Sequence, residues 1–198
     1  GGLIPSSRDL WDGRNEDYAP RHLDRLLDGQ TPDLSAWKNA DAFLTTDFPS
    51  LCNPDQKGFP AYARKYYRWE KSFSGAEYAK LANDRYQTGP VMDIYVDQRA
   101  PSGRVRQIRI IGRRRTVTVG QELEIRQALG EIYSTFFSLV KDRGSDGLLR
   151  SLTIHGGGFG HGVGMCQMGA YMMALRGYNY RQILAHYYAD VKIRRLYR

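Results

Sequence analysis

The chain has 198 residues, with 29 Lys plus Arg against 21 Asp plus Glu, which gives a formal net charge of +8. Hydrophobic residues make up 41% and aromatic residues 12% of the chain, which excludes a disordered, collagen-like or disulfide-scaffold protein and favours one domain or two small ones. No stretch reaches the roughly 18 apolar residues that a membrane-spanning helix needs, so no membrane span is predicted.

The first sixty residues predict a loop-rich segment with one or two short helices. Asp, Pro, Ser and Gly are frequent there, and periodic apolar spacing is limited to residues 22–27 and 34–43. Prolines interrupt the later part of this stretch, where they favour turns. A more regular pattern follows, so we expect a loop-rich N-terminal segment over 1–60 and a folded domain over 61–198.

The next part of the chain predicts a sheet with one helix inserted. Residues 67–73 alternate apolar and polar side chains as a half-buried strand does. Ser74 and Glu77 have capping-box spacing, which predicts a helix that continues over 78–86. Further strands, most simply arranged as a meander, are expected at 91–98, 105–111 and 116–119.

The remaining elements are shorter, and no internal repeat is present. Together with the earlier segments they predict an α+β fold with a mainly antiparallel sheet and short helices. They are a helix at 121–129, a strand or helix at 133–139, a strand at 148–155, helices at 166–175 and 180–188, and a closing strand at 191–197.

Positive charge is concentrated in two segments, 104–115 and 192–198. In the first of them, arginines alternate with apolar residues such as Ile108 and Ile110, which predicts a strand with one charged, solvated face. No helix-turn-helix, zinc-finger or RNP signature accompanies either segment, so nucleic acid is not an expected partner.

A dense cluster of glycines over residues 155–171 separates a predicted strand from a predicted helix. Glycine tolerates positive φ and lets a ligand approach the backbone, so the cluster predicts a shaped loop that presents N–H donors at a helix N-terminus. A flexible connector is the alternative, although such linkers combine Gly with Ser rather than with His, Met, Cys and Gln. Neither a phosphate-binding loop nor a dinucleotide fingerprint is present.

Two kinds of site remain open for this loop. His155, His161 and Cys166 are possible metal ligands, but their spacing matches no standard zinc signature, so no metal is predicted and zinc is kept as the alternative. In a carbohydrate site, backbone amides, His and Gln bind hydroxyl and acetamide groups while aromatic rings cover the sugar. The loop contains all of these groups, which favours the carbohydrate interpretation.

The residues from Phe159 to Ala170, followed by Gly177 and by residues 183–188, resemble the closing signature of the stage II sporulation protein D and amidase-enhancer family. Residues 67–70 and 126–130 are similar to internal landmarks of the same domain. The resemblance covers residues 60–198 well and the first sixty weakly. The family often has Ser and Trp where this chain has Cys166 and Met168.

The resemblance implies an extracytoplasmic protein that acts on bacterial peptidoglycan, in the periplasm, the cell wall or the space between forespore and mother cell. We expect a signal or anchor to be absent from this chain, because its first residues lack a basic start and an apolar run. The family includes lytic transglycosylases, which cut glycan strands lacking stem peptides, and proteins that stimulate an N-acetylmuramoyl-L-alanine amidase. The expected partners are therefore peptidoglycan glycan strands and a cell-wall amidase or other wall hydrolase.

Two functions follow from this resemblance. The first is a protein that binds glycan strands and, in its complete form, cleaves them as a lytic transglycosylase. The alternative is a non-catalytic module that binds peptidoglycan and stimulates the amidase. The general-acid glutamate of the transglycosylases lies in a Glu-Met-Pro-like motif that this chain does not contain, which leaves open whether the chain is an enzyme.

Cleavage of a glycosidic bond needs a carboxylic acid that protonates the leaving oxygen. Glu70 is a weak candidate for this role, since a surface carboxylate paired with Lys71 or Arg68 is the favoured explanation. His161, flanked by glycines, is the best candidate for proton handling. The expected substrate-binding residues are His155, Gly158, Phe159, Gly160, His161, Gly162, Gly164, Gln167, Arg126 and Tyr187.

Overall fold

The computed structural model describes residues 2–10, 19–24, 32–46 and 48–195. This part of the chain combines helices with antiparallel sheets, which confirms the predicted α+β fold. The strands are β1 (Leu3–Ile4), β2 (His22–Leu23), β3 (Arg68–Ser74), β4 (Val91–Arg99), β5 (Val105–Gly112), β6 (Thr116–Val119), β7 (Phe137–Arg143) and β8 (Leu149–Gly157). The helices are α1 (Trp37–Thr45), α2 (Gly75–Tyr86), α3 (Glu122–Ala128), α4 (Gln167–Leu175) and α5 (Tyr180–Tyr187), with 3-10 turns at Ser7–Asp9 and Ala61–Tyr66.

The strands β4, β5 and β6 form the predicted antiparallel meander. Ile94 lies opposite Ile110, and Ile108 lies opposite Val119 in the register of the sheet. These side chains are buried, whereas Arg109, which lies between Ile108 and Ile110, is exposed. The alternation visible in the sequence therefore places one face of the meander in the core.

A second antiparallel sheet has the strand order β3-β8-β7 and leads directly into the glycine cluster. The helix α2 follows β3, and Ser74 and Glu77 form the capping box that the sequence predicts. The segment left open between strand and helix becomes the strand β7, which begins at Phe137. The main hydrophobic core comprises the inner faces of both sheets together with α2 and α3.

The first sixty residues pack against two parts of the later chain. The buried side chains of α1 contact Phe136 just before β7. Ile4 and Leu51 form a separate cluster with Met173 of α4 and Tyr187 of α5. The N-terminal segment thus lies beside the helices that follow the glycine cluster.

The predicted closing strand at 191–197 is wrong for the part that the structure describes. Residues 191–195 form no regular structure, and Val191 and Ile193 are each 42% exposed. Alternation alone does not make a strand when no sheet edge pairs with it. Residues 196 and 197 lie outside the described residues, and so do residues 25–27 of the periodic segment at 22–27.

The basic segment at 104–115 also needs one correction. Arg109 on β5 is exposed, as expected of a charged face, and its guanidinium lies 3.0 Å from Asp97. Arg104 is instead 4% exposed and lies under the glycine cluster.

Within the four described ranges, no helix is long and apolar enough to cross a bilayer.

Candidate functional site

The glycine loop (residues 158–166) connects β8 to α4 and has an alternating backbone. Gly158, Gly160, Gly162 and Gly164 have φ values between 74° and 81°, a conformation that a residue with a Cβ rarely adopts. The N–H of Gly160 donates to the carbonyl of Tyr133 at 2.8 Å. The loop therefore has a specific backbone shape in which every second residue presents a side chain.

Arg104 supports this loop from below. Its Nη1 donates to the carbonyl of Gly160 at 2.9 Å, and a Cβ built on Gly162 would lie 2.1 Å from Nη2. Burial lowers the pKa of Arg104 to about 10, so the guanidinium remains charged at neutral pH. No local sequence pattern predicts this role, because Arg104 is more than fifty positions away from the loop.

A cavity of about 540 Å³ lies between the glycine loop and three tyrosines of the N-terminal part of the domain. Tyr62, Tyr66 and Tyr67 form one side, and the loop and the start of α4 form the other. We refer to it as the aromatic cavity. A larger and more open groove of about 900 Å³ lies beside the start of α2, but none of its wall residues is aromatic.

Phe159 is 60% exposed on the wall of the aromatic cavity. Its ring centroid lies 4.8 Å from that of Tyr66 and 6.0 Å from that of Tyr133. The guanidinium of Arg126 lies 5.9 Å from the centre of the same ring. Neighbouring rings thus hold an exposed aromatic face in place, as cation–π and ring–ring contacts do elsewhere.

His161 is also exposed and lines the aromatic cavity. Its Nδ1 accepts a hydrogen bond from the N–H of Val163 at 3.1 Å, which places the ring proton on Nε2. Partial burial and the nearby charge of Arg104 lower the pKa of His161 below its ordinary 6.5. The imidazole is therefore neutral at pH 7 and can donate through Nε2.

Most of the other predicted binding residues of the loop line the cavity, and one does not. Gln167 is exposed at the first position of α4 and belongs to the cavity wall, as do Gly158, Gly160 and Gly162. Gly164 packs against the hydroxyl of Tyr188 instead. The structure therefore brings most of the predicted loop residues to one surface.

Arg126 and Tyr187 lie behind this surface. Arg126 pairs with Glu122 at 3.5 Å and donates to the carbonyl of Ile132 at 2.9 Å, so it reaches the site through its contact with the Phe159 ring. Tyr187 is 1% exposed, and its hydroxyl donates to Asp24 at 2.8 Å.

His155 and Glu70 lie on the sheet β3-β8-β7, outside the residues that line the aromatic cavity. His155 Nε2 is 3.3 Å from Glu70 Oε2, and the Glu70 side chain is 63% exposed. Lys71 and Arg68 bind backbone carbonyls, Lys71 that of Gly130 and Arg68 those of residues 43 and 44. Glu70 is thus a surface carboxylate that pairs with a histidine of the neighbouring strand.

A buried cluster of three side chains lies at the same cavity. One oxygen of Asp24 and the sulfurs of Cys52 and Cys166 all lie within 4.8 Å of one another, and all three residues line the cavity. Contact with the Cys166 thiol lowers the pKa of Cys52, whereas the same contact and burial raise that of Cys166. Sequence spacing could not reveal this cluster, because its members come from three distant segments.

Comparisons with known proteins relate the chain to one family model and to curated relatives. The model of a domain of unknown function (DUF8618) matches residues 6–164. Stage II sporulation protein D of Bacillus amyloliquefaciens is 30% identical over 159 residues, which are 79% of this chain and 41% of the relative. An uncharacterized protein of Brachyspira hyodysenteriae is 55% identical over 42 residues, 21% of this chain and 11% of the relative.

The chain therefore spans less than half the length of either curated relative that it matches here. The similarity to stage II sporulation protein D agrees in part with the resemblance seen in the sequence. The family model runs from the N-terminal segment into the glycine loop and includes the sheets that position it. Because the match extends over most of its length, the chain belongs to the DUF8618 family.

Proposed function

We propose that the chain binds glycan strands of bacterial peptidoglycan in the aromatic cavity, as part of a sporulation-related or other cell-wall protein outside the cytoplasm. The observation that carries this proposal is the glycine loop, which presents Phe159 and His161 side by side on the cavity wall. The similarity to a stage II sporulation protein D supports the same class of function.

The chemistry of the cavity suits a sugar that carries acetamide groups. The exposed face of Phe159 and the ring of Tyr62 are apolar surfaces on which a pyranose ring can stack. His161 Nε2 and the Gln167 amide are donors at the same wall, and the amide oxygen also accepts. A few polar groups placed among aromatic and other apolar wall residues are typical of a small-molecule or carbohydrate site.

A second part of the proposal concerns cleavage. Protonation of a glycosidic oxygen needs a carboxylic acid that is neutral before the reaction. Among the described wall residues the carboxylate is Asp24, and although burial opposes its ionised form, the His186 ring 3.7 Å away and the hydrogen bond from Tyr187 keep its pKa below the ordinary value of 3.8. We therefore assign glycan binding to this chain and the general acid to a residue outside the described cavity.

Binding is tested first, by isothermal titration with peptidoglycan glycan fragments and by co-sedimentation with purified sacculi. Phe159→Ala and His161→Ala are each expected to weaken binding at least tenfold, since each removes a wall contact, without lowering the melting temperature. Tyr180→Ala is the matched control, because Tyr180 is 57% exposed but does not line the cavity. Equal affinity of the three variants and the wild type would exclude the cavity as the glycan site.

Cleavage is tested separately, with glycan strands that carry or lack stem peptides. Mass spectrometry of the products detects the anhydro-muramyl ends that a lytic transglycosylase leaves. We expect this chain to bind without producing such ends, and a longer form that supplies the acid to produce them. If the longer form makes none but raises the activity of an N-acetylmuramoyl-L-alanine amidase, stimulation of that amidase replaces cleavage as the function.

A further inference from the structure

The buried cluster of Asp24, Cys52 and Cys166 joins three segments that are far apart in the sequence. Asp24 follows β2, Cys52 lies in the loop after α1, and Cys166 is the residue that caps the N-terminus of α4. Their three potential ligand atoms all lie within 4.8 Å of one another. Asp24 is fully buried and Cys52 is 5% exposed, so two of the three are shielded from bulk water.

The carboxylate of Asp24 has one oxygen that is satisfied and one that is not. Oδ1 accepts the hydroxyl proton of Tyr187 at 2.8 Å. Oδ2 is buried and accepts no hydrogen bond from the described residues. A buried carboxylate oxygen without a partner is costly, and a bound cation is one of the few groups that can satisfy it beside two thiols.

Each of the three side chains also has an outer contact that would orient it. The N–H of Gly169 donates to Cys166 Sγ at 3.4 Å, and Ser50 Oγ lies 3.5 Å from Cys52 Sγ. The Tyr187 hydroxyl holds the Asp24 carboxylate in the same way, because it donates to Oδ1. Outer hydrogen bonds of this kind fix the direction of ligand atoms in protein metal sites.

We propose that Asp24, Cys52 and Cys166 bind a zinc ion at the edge of the aromatic cavity. Two thiolates and one carboxylate form a donor set that suits Zn²⁺ and disfavours Mg²⁺ or Ca²⁺. Bonds of about 2.3 Å to sulfur and 2.0 Å to oxygen place tetrahedral ligands roughly 3.5–4 Å apart, so only a small closure of the cluster is needed.

The ion would connect the N-terminal segment to the beginning of α4. All three ligands are also wall residues of the aromatic cavity, so the metal borders the space that we assign to the glycan. Three protein ligands leave one tetrahedral position for water or for a ligand oxygen. This inference goes beyond the proposed glycan binding and does not depend on it, because metal content is measured without any glycan.

The test begins with the full chain, purified under reducing conditions from cells grown with added zinc. Elemental analysis is expected to give about one zinc per chain. After removal of the metal with a chelator, titration with Co²⁺ is expected to produce the near-ultraviolet absorption of thiolate-to-cobalt charge transfer. A chain without zinc that also shows no such absorption with Co²⁺ overturns the proposal.

Substitutions then assign the ligands. Asp24→Asn and Cys52→Ser are each expected to abolish stoichiometric zinc, whereas Asp97→Asn, an exposed carboxylate of β4 paired with Arg109, retains it. Tyr187→Phe keeps all three ligands but loses the outer hydrogen bond, and is expected to weaken zinc binding roughly ten- to a hundredfold. Zinc retained by both Asp24→Asn and Cys52→Ser overturns the assignment.

A disulfide between Cys52 and Cys166 is the competing state of the two thiols. It uses two of the three side chains and leaves Asp24 Oδ2 unsatisfied. Alkylation of the denatured protein, purified without reductant, separates the two: both cysteines react if they bound zinc, and neither reacts before reduction if they formed a disulfide. If the substituted proteins fail to fold, the cobalt spectrum and this alkylation of the wild type decide the question.

Discussion

The meander of β4, β5 and β6 and the glycine loop are held in shape by different forces. In the meander, buried side chains such as Ile94 and Ile110 lie opposite each other and pack into the main core. In the loop, Phe159 and His161 are exposed, and the shape comes from left-handed glycines and from backbone contacts with Arg104. Substitutions that remove buried side-chain volume should therefore destabilise the meander. Substitutions that restrict the backbone of the glycines should instead distort the loop.

The largest effect on stability is expected for Ile108→Ala in the meander. Ile108 is fully buried, and truncation of a buried isoleucine removes apolar burial and leaves a cavity, at a cost of about 2–5 kcal/mol. Urea unfolding at neutral pH measures this loss. The half-buried Ile111 on the same strand is the control, and a loss in Ile111→Ala as large as in Ile108→Ala would contradict the role of burial.

A smaller loss of stability is expected for Asp93→Asn, which removes the ion pairs between β4 and β7. Lys141 Nζ lies 2.7 Å and Arg143 Nη1 lies 3.4 Å from the Asp93 carboxylate, whose side chain is 6% exposed. Loss of these charged contacts should cost about 1.5–3 kcal/mol at neutral pH. Asp97→Asn, which breaks the more exposed pair with Arg109, should cost at most about 1 kcal/mol.

The contribution of Asp93 to the free energy of unfolding should also depend on pH. Burial opposes the ionised carboxylate, but hydrogen bonds from Lys141, Tyr95 and Ile94 outweigh it and lower the pKa of Asp93 below its ordinary 3.8. The stabilisation is therefore complete above pH 3.8 and is lost as the pH falls through the lower value of the folded state. Unfolding curves of wild type and Asp93→Asn should converge on acidification, and a constant gap would refute the charge argument.

The glycine loop is tested with two glycines that share a backbone conformation. Gly162 and Gly147 have φ values of 79° and 77°, but a Cβ meets Arg104 only at Gly162 and finds nothing within 4 Å at Gly147. Alanine at either position should cost about 1 kcal/mol through backbone strain. Gly162→Ala should in addition displace Arg104 and weaken glycan binding at least tenfold, whereas Gly147→Ala should bind as the wild type does.

These differences explain which parts of the protein the sequence could predict. Local signals were sufficient for the meander, for α2 with its capping box of Ser74 and Glu77, and for the existence of a shaped loop. The role of Arg104 and the meeting of Asp24 with Cys166 depend on contacts across more than fifty residues. No periodicity encodes such contacts, because they arise only when separate segments pack together.

The predicted strand at the C-terminal end failed for a related physical reason. Residues 191–195 alternate in polarity, but strand formation also needs a free edge of a sheet to supply hydrogen bonds. In the described structure residues 191–195 pair with no edge strand of either three-stranded sheet, and Ile193 remains 42% exposed. A polarity pattern therefore predicts which face of a strand could be buried. Whether the strand forms depends on pairing with a neighbouring strand.

The smallest expected effect is the pH dependence of glycan affinity that arises from His161. It distinguishes the loop from the meander most sharply. Partial burial and the charge of Arg104 lower its pKa below 6.5, so the ring is neutral above that pH. Protonation at lower pH converts Nδ1 from an acceptor into a donor and breaks its hydrogen bond from the Val163 N–H. Glycan affinity should thus be constant above pH 6.5 and fall by at most about tenfold per pH unit below the lowered pKa.

Titration calorimetry with the same glycan fragment, from neutral pH down to about pH 5, measures this dependence. His161→Gln is the matched variant, because its amide can donate and accept but does not titrate in this range. Its affinity is expected to be weaker than that of the wild type at neutral pH and independent of pH. Because folding lowers the pKa of His161, the free energy of unfolding of the wild type should fall slightly more below pH 6.5 than that of His161→Gln, which does not titrate. An acid-dependent loss of affinity that persists in His161→Gln would assign the titration to another group and remove His161 from the binding surface.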